Sequence, residues 1–330
     1  MHDNFLVIGS NSFSGANFIS RLLENEYEVM GVSRSEQINS VFLPYSTSLN
    51  LSHFQFHQIN INDDLKKLID LILQFKPRYI VNFSAQGMVA QSWETPEHWY
   101  QTNVVGQVKL HDALRKMAFI KKYVHITTPE SYGSTDGWIS ENFNFNPSTP
   151  YAVSRAACDL HLMTFFKAYQ FPVVFTRAAN VYGSGQQLYR IIPRAMLYAR
   201  LGKKIQLDGG GQSIRSFIHI RDVSEAILRI ALSGRTGETY HISTSKFLSI
   251  RELVEKIAVL TTVPFEDLVQ FAGDRMGKDQ AYLLENKKLC KELDWVDTID
   301  LDTGLQTTLS WIDLNLKTLK EQNLEYIHKP

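Results

Sequence analysis

Through the first half of the chain, short apolar runs of strand length alternate with segments whose apolar residues recur at helical spacing. The runs are Phe5-Leu6-Val7-Ile8, Val29-Met30-Gly31-Val32, Phe54 to Phe56, Tyr79-Ile80-Val81, Tyr123-Val124-His125-Ile126 and Val173-Val174-Phe175. Continuous apolar runs, rather than strict alternation, are what strands covered on both faces require. Between them, Phe18, Ile19, Leu22 and Leu23 fall on one helix face, as do Leu65, Leu68, Ile69 and Ile72, and Leu110, Ala113, Leu114 and Met117. This alternation predicts an α/β fold built on a doubly wound parallel sheet. From about Asn180 the rhythm loosens, and Gly183-Ser184-Gly185, Gly209-Gly210-Gly211 and Gly234 to Gly237 separate shorter elements. The expected division is a first domain over residues 1–180 and a smaller α/β lobe over 181–330, with the chain free to cross between them.

Composition narrows the function. The 330 residues carry 34 Lys+Arg against 34 Asp+Glu, which argues against a binder held to nucleic acid by phosphate attraction. A 44% hydrophobic content supplies a core, yet no run approaches the ~18 apolar residues of a membrane span. Met1-His2-Asp3-Asn4 lacks the basic run of a secretory leader. Cys158 and Cys290 lie far apart and fit neither a disulfide framework nor a Cys-x-x-Cys pair, so a reducing cytoplasm and no metal are expected.

The first chemical signal is Gly9-Ser10-Asn11-Ser12-Phe13-Ser14-Gly15, which follows the first strand and opens the first helix. Free N–H groups at a helix start there receive a dinucleotide pyrophosphate, and residues without bulk let backbone approach phosphate. The spacing is Gly-x-x-Ser-x-x-Gly, with Ser12 where a further glycine is expected; a plain strand-to-helix turn is the alternative. At the tip of the second strand, Val32-Ser33-Arg34-Ser35 offers no carboxylate for an NAD ribose, while Arg34 with Ser33 and Ser35 offers donors to a further phosphate. NADP is therefore favoured, with NAD the alternative.

Two later segments complete a resemblance. His125-Ile126-Thr127-Thr128-Pro129-Glu130-Ser131-Tyr132-Gly133 resembles the strand-end motif of nucleotide-sugar 4,6-dehydratases, and Tyr151-Ala152-Val153-Ser154-Arg155 resembles their Tyr-x-x-x-Lys helix. Asn60-Ile61, Asn82-Phe83-Ser84-Ala85, Thr102-Asn103-Val104, Arg177 to Gly183, Arg215 to Val223, Asp274 to Asp279 and Glu292 to Trp295 resemble further landmarks in order. The chain thus resembles the extended short-chain dehydrogenase/reductases acting on nucleotide sugars, close to dTDP-glucose and GDP-mannose 4,6-dehydratases. The resemblance implies a Rossmann fold and a homodimer joined through a four-helix bundle made by the helices after Thr102 and Tyr151. Cofactor contacts are implied for Gly9, Asn11, Ser12, Phe13, Ser14, Gly15, Ser33, Arg34, Ser35, Asn60, Ile61, Phe83, Ser84, Ala85, Thr102, Tyr151 and Arg155. Substrate contacts are implied for Gln86, Met88, Thr128, Glu130, Asn180, Arg215 and Arg275.

The chemistry explains these residue types. A base must take the proton of a sugar C4 hydroxyl as hydride leaves, and Tyr151 serves only if a cation lowers its pKa from about 10. Arg155, one helical turn on, holds a permanent charge but a planar fork in place of the lysine point charge. In a dehydratase Thr128 orients the C4 oxygen and Glu130 removes the C5 proton as water leaves C6. Pro129 stands where dTDP-glucose dehydratases carry an acid, a variation that resembles the Thr-Ser-Glu of the NADP-using GDP-mannose enzymes. The expected product is a 4-keto-6-deoxy nucleotide sugar. The rivals are a 4-epimerase or a C4 dehydrogenase/reductase, which need no C5 base, and a catalytically impaired protein that binds cofactor and sugar nucleotide, for which Ser12, Pro129 and Arg155 speak. His125 and His219, inside apolar strands, read as core histidines.

Overall fold

In the computed structural model, which describes residues 3–135, 137–273 and 281–330, seven parallel strands form one sheet. They are β1 (Asn4–Ile8), β2 (Glu28–Ser33), β3 (Phe54–Gln58), β4 (Tyr79–Asn82), β5 (Lys122–Thr127), β6 (Val173–Ala178) and β7 (Thr239–Ile242). Their spatial order is β7-β6-β5-β4-β1-β2-β3, so the winding direction reverses between β1 and β4. In such sheets ligands bind outside the carboxyl ends of the strands at that reversal. The register puts Ile8 beside Asn82 and Asn82 beside His125, so the segments that follow β1, β4 and β5 emerge side by side.

Six of the seven strands coincide with the apolar runs of the sequence. β7 does not, because Thr239-Tyr240-His241-Ile242 carries polar residues that the tertiary fold buries. It pairs with β6 from Thr239 beside Phe175 to Ile242 beside Ala178, which brings the chain back into the large sheet well beyond Asn180. The helix Ile220–Ser233 accompanies it and packs with the helix Phe13–Glu24 in one core with Phe5, Val7 and Val124. A second core, under the opposite face, joins Leu6, Ile8 and Tyr123 to Leu110, Cys158 and Leu162. The smaller lobe has its own core, in which the helices Ile191–Leu201, Ile250–Thr261 and Leu301–Leu314 pack with the strand pair Ile205–Asp208 and Val269–Ala272. Among the described residues, no helix is long and apolar enough to cross a membrane.

Candidate active site

The loop after β1 is shaped by two close approaches. Gly9 has φ +84°, and a Cβ there would sit 2.9 Å from the Phe83 and Ser84 backbone; one on Gly15 would lie 2.3 Å from the Gly9 oxygen. Ser12 caps the helix Phe13–Glu24, its hydroxyl accepting from Gly15 N and donating to Gly9 O, so that side chain is used within the turn. No acidic residue lies in the first turn, which leaves the helix N-terminus with its positive dipole unopposed. Phe13 is buried beneath the loop, and Ser14 is half-buried. Asn11 fixes the loop to the end of β2: its backbone N–H donates to Ser33 Oγ and its side-chain amide to the carbonyls of Ser35 and Glu36.

The neighbouring strand ends carry the other residues expected to meet the cofactor. Asn60 closes a turn after β3, donating to Asp63 and accepting from Asn62 N, while Ile61 is buried. Asn62 in turn donates to Thr102 Oγ1, tying that turn to the helical segment 96–114. After β4, Phe83 packs on the core, Ser84 bonds Asn82 Oδ1, and Ala85 is exposed. Gln86 is pinned by paired backbone bonds with Asn103, and Met88 is half-buried. Arg34 does not face open solvent: its guanidinium donates to the Pro330 oxygen at 2.6 Å.

Beyond β5 the chain turns tightly. Thr128 caps the turn Pro129–Tyr132, and Pro129 sits at its first position, where a fixed φ suits a helix start and no N–H is required. Tyr132 anchors the turn from below, its hydroxyl meeting Arg177 Nη1 at 3.0 Å and His241 Nε2 at 2.9 Å. Arg177 and Asp159 form a fully buried ion pair at 2.8 Å, and Asp159 also accepts from Thr127. One carboxylate thereby fastens the helix Pro150–Tyr169 to β5 and β6, and both charges stay paired. Thr149 caps that helix and Pro150 opens it, which fixes the start from which Tyr151 projects.

Tyr151, Thr128 and Glu130 converge. The Thr128 hydroxyl donates to Glu130 Oε2 at 2.9 Å and lies within hydrogen-bonding reach of the Tyr151 phenol. Desolvation, and after it the Glu130 charge, push Tyr151 above the usual phenol range, contrary to the net lowering expected from the sequence; Arg155, Thr128 and Arg190 oppose the rise without reversing it. Arg155 is buried and spends Nη2 on the Ile126 carbonyl, while Nε and Nη1 have no partner among the described residues. Two orphaned donors on a buried cation beside the phenol, together with the glycine-lined helix start, fit the ribose and pyrophosphate of a nicotinamide dinucleotide.

In the smaller lobe, Asn180 Oδ1 accepts from Tyr282 at 2.9 Å and the Arg215 guanidinium lies 4.4 Å from the Tyr282 ring centre. The structure thus brings these two residues, expected to meet the substrate, together on a tyrosine that sequence reasoning passed over. Arg275 lies outside the described residues, as does the Asp274 to Asp279 segment. Arg190 was also missed. It stands at the start of the helix Ile191–Leu201, near enough to Tyr151 to lower its pKa, and its signal was a cation just ahead of Ile191-Ile192-Pro193.

The histidines behave as core groups. His219 accepts from Arg221 N, and His125 Nε2 lies 3.4 Å from Asp159. Donor atoms of His111, His125 and Cys158, all three buried, come within 4.8 Å of one another, and burial pushes the Cys158 thiol up to about 12.

Comparison with known proteins agrees with this geometry. A family model described as GDP-mannose 4,6 dehydratase matches residues 6–308. A dTDP-glucose 4,6-dehydratase of Xanthomonas campestris is 29% identical over 93% of this chain and 92% of its own length. A trifunctional Arabidopsis thaliana protein, named for UDP-glucose 4,6-dehydratase, epimerase and reductase activities, is 28% identical over 94% of this chain; the chain spans 47% of that protein's length. The crystal structure of a Bacillus anthracis dTDP-glucose 4,6-dehydratase in complex with NAD superposes with a TM-score of 0.87 at 29% identity, covering 96% of this chain and 99% of that one. Fold, strand-end geometry and a family match across most of the sequence agree, and the chain belongs to the GDP-mannose 4,6 dehydratase family of extended short-chain dehydrogenase/reductases.

Proposed function

We propose that the protein is a nucleotide-sugar 4,6-dehydratase that converts an NDP-hexose to an NDP-4-keto-6-deoxyhexose. The observation that carries this reading is the single cluster of Tyr151, Thr128 and Glu130, with Arg155 beside the phenol. Tyr151 takes the C4 hydroxyl proton, its anion supported by the Arg155 and Arg190 charges, while Thr128 holds the C4 oxygen. The nicotinamide cofactor, when bound, accepts hydride from C4 and returns it to C6. The C4 ketone acidifies the C5 proton, which Glu130 removes. Since Pro129 neither donates nor accepts a proton, Glu130 itself passes that proton to the departing C6 hydroxyl, which leaves as water. The proton C5 regains at the end balances the one that Tyr151 took from C4. Asn180, Arg215 and Arg275 are assigned to the substrate diphosphate, for which arginine supplies paired donors.

NADP is proposed as the preferred cofactor because Arg34, rather than an acidic residue, stands directly at the tip of β2, with Glu36 further along the wall of the same cavity. A homodimer is inferred from apolar side chains left exposed on the two helical segments assigned to a bundle, among them Val105 at 40%, Val153 at 38%, Leu160 at 49% and Tyr169 at 53%. The test of the chemistry is Glu130→Gln. A dehydratase loses dehydrated product by about a hundred- to ten-thousand-fold, yet still forms reduced cofactor on mixing with its sugar nucleotide. An unchanged rate of dehydration overturns the assignment.

A further inference from the structure

The C-terminal segment 324–330 lies extended across the mouth of the dinucleotide cleft. Leu324, Tyr326 and His328 turn toward the protein while Glu325, Ile327 and Lys329 are exposed, the period-two pattern of an extended chain. The segment is held along its length. The Leu324 carbonyl accepts from Arg194 at 2.9 Å, and the Tyr326 ring meets Tyr189 edge-on with centroids 5.4 Å apart. The His328 imidazole stacks on the buried Trp99 at 4.9 Å with an interplanar angle of 7°, and it hydrogen-bonds His98 at 2.8 Å. The last two contacts reach the strand ends: Gln86 Nε2 donates to the Lys329 carbonyl and Arg34 Nη1 to the Pro330 oxygen, each at 2.6 Å.

Arg34 follows β2 and Asn60 follows β3, the edge strand beside it, and the two frame the adenosine half of a dinucleotide site in this topology; Gln86, after β4, lies on the other side of β1. The cavity there, about 500 Å³, has Arg34 and Asn60 on one side and Lys329 as part of its wall. Gln86 is only 2% exposed. The Pro330 oxygen takes the Arg34 Nη1 donor and Lys329 narrows the cavity, so a cofactor phosphate at Arg34 competes with the segment for that donor and that space.

We propose that residues 324–330 are a built-in competitor for the adenosine half of the cofactor site, so that the cleft opens to cofactor only in the fraction of molecules whose tail is released. This rests on the reading of the cleft as a dinucleotide site. Affinity for a partly populated open state falls in proportion to its population. A chain ending at Asn323 therefore binds NAD and NADP at least about tenfold more tightly than the full chain, measured by calorimetry. His328→Ala, which removes the stack without shortening the chain, moves both dissociation constants the same way by a smaller factor. In the full chain, saturating NADP speeds deuterium exchange at the amides of residues 325–329. Equal or weaker cofactor binding by the shortened chain, with both proteins binding, overturns the competitor. Failure of both proteins to bind either cofactor overturns the dinucleotide site itself, and the competitor with it.

Discussion

Arg155 does two things at once: it bonds the end of β5 through Ile126, and it opposes the desolvation and the Glu130 charge that raise Tyr151. Removing the charge in Arg155→Met lets the phenol titrate higher still, because the opposing cation is gone and burial remains. The rising limb of the pH–rate profile then moves to more alkaline pH, whereas Arg155→Lys keeps it near the wild-type position; a limb that stays put in Arg155→Met contradicts the assigned partnership. Tyr151, Arg155, Thr128 and Glu130 stand out as candidates in the sequence because each sits at a fixed offset from a strand end or helix start, and the structure brings them together. It did not find Arg190 or Tyr282, since these reach the site through tertiary contacts that no local pattern encodes.

At the scale of elements, the turn after β1 and the strand β7 make contrasting cases. The turn was legible because its glycines are forced by backbone contact. Gly15→Ala drives a Cβ against the Gly9 oxygen, so the variant loses about 1–3 kcal/mol of stability and its affinity for cofactor, read by urea unfolding and calorimetry. A stable variant with unchanged cofactor affinity contradicts this reading of the loop. β7 was not legible, because Thr239 and His241 are polar residues whose burial depends on distant neighbours, His241 on Tyr132 among them. That burial has a pH signature. Desolvation holds His241 at about 3 and His219 at about 4, below the ordinary 6.5. The stability tied to their neutral forms is complete above pH 6.5 and is lost as pH falls, since the unfolded chain takes up protons the folded chain refuses. Each adds a slope of about 1.4 kcal/mol per pH unit between roughly pH 6 and its folded value. His241→Gln flattens the acid limb of an unfolding-versus-pH series if the account holds; an unaltered limb contradicts it.

For the whole molecule, strand periodicity anticipated a doubly wound parallel sheet, and the structure adds that its winding reverses between β1 and β4, where strand-end segments converge. A crossing back between lobes was allowed for, but neither the strand Thr239–Ile242 that rejoins the large sheet nor the docking of the C-terminal segment was legible, because both are pairings between residues far apart in sequence. Subunit association is a property of this scale. If Leu160 lies in a helix-bundle interface, Leu160→Arg converts a dimer to a monomer in sedimentation equilibrium at micromolar concentration; a wild-type protein that sediments as a monomer contradicts the bundle. The most direct test of the central claim is mass spectrometry of the purified protein incubated with dTDP-, UDP-, GDP- and CDP-hexoses, with NAD and NADP supplied separately. Loss of one water from one of these substrates, abolished in Glu130→Gln, is the predicted result. Conversion to an isomer of unchanged mass, or no conversion with any substrate, contradicts dehydration and leaves C4 chemistry alone or binding without turnover.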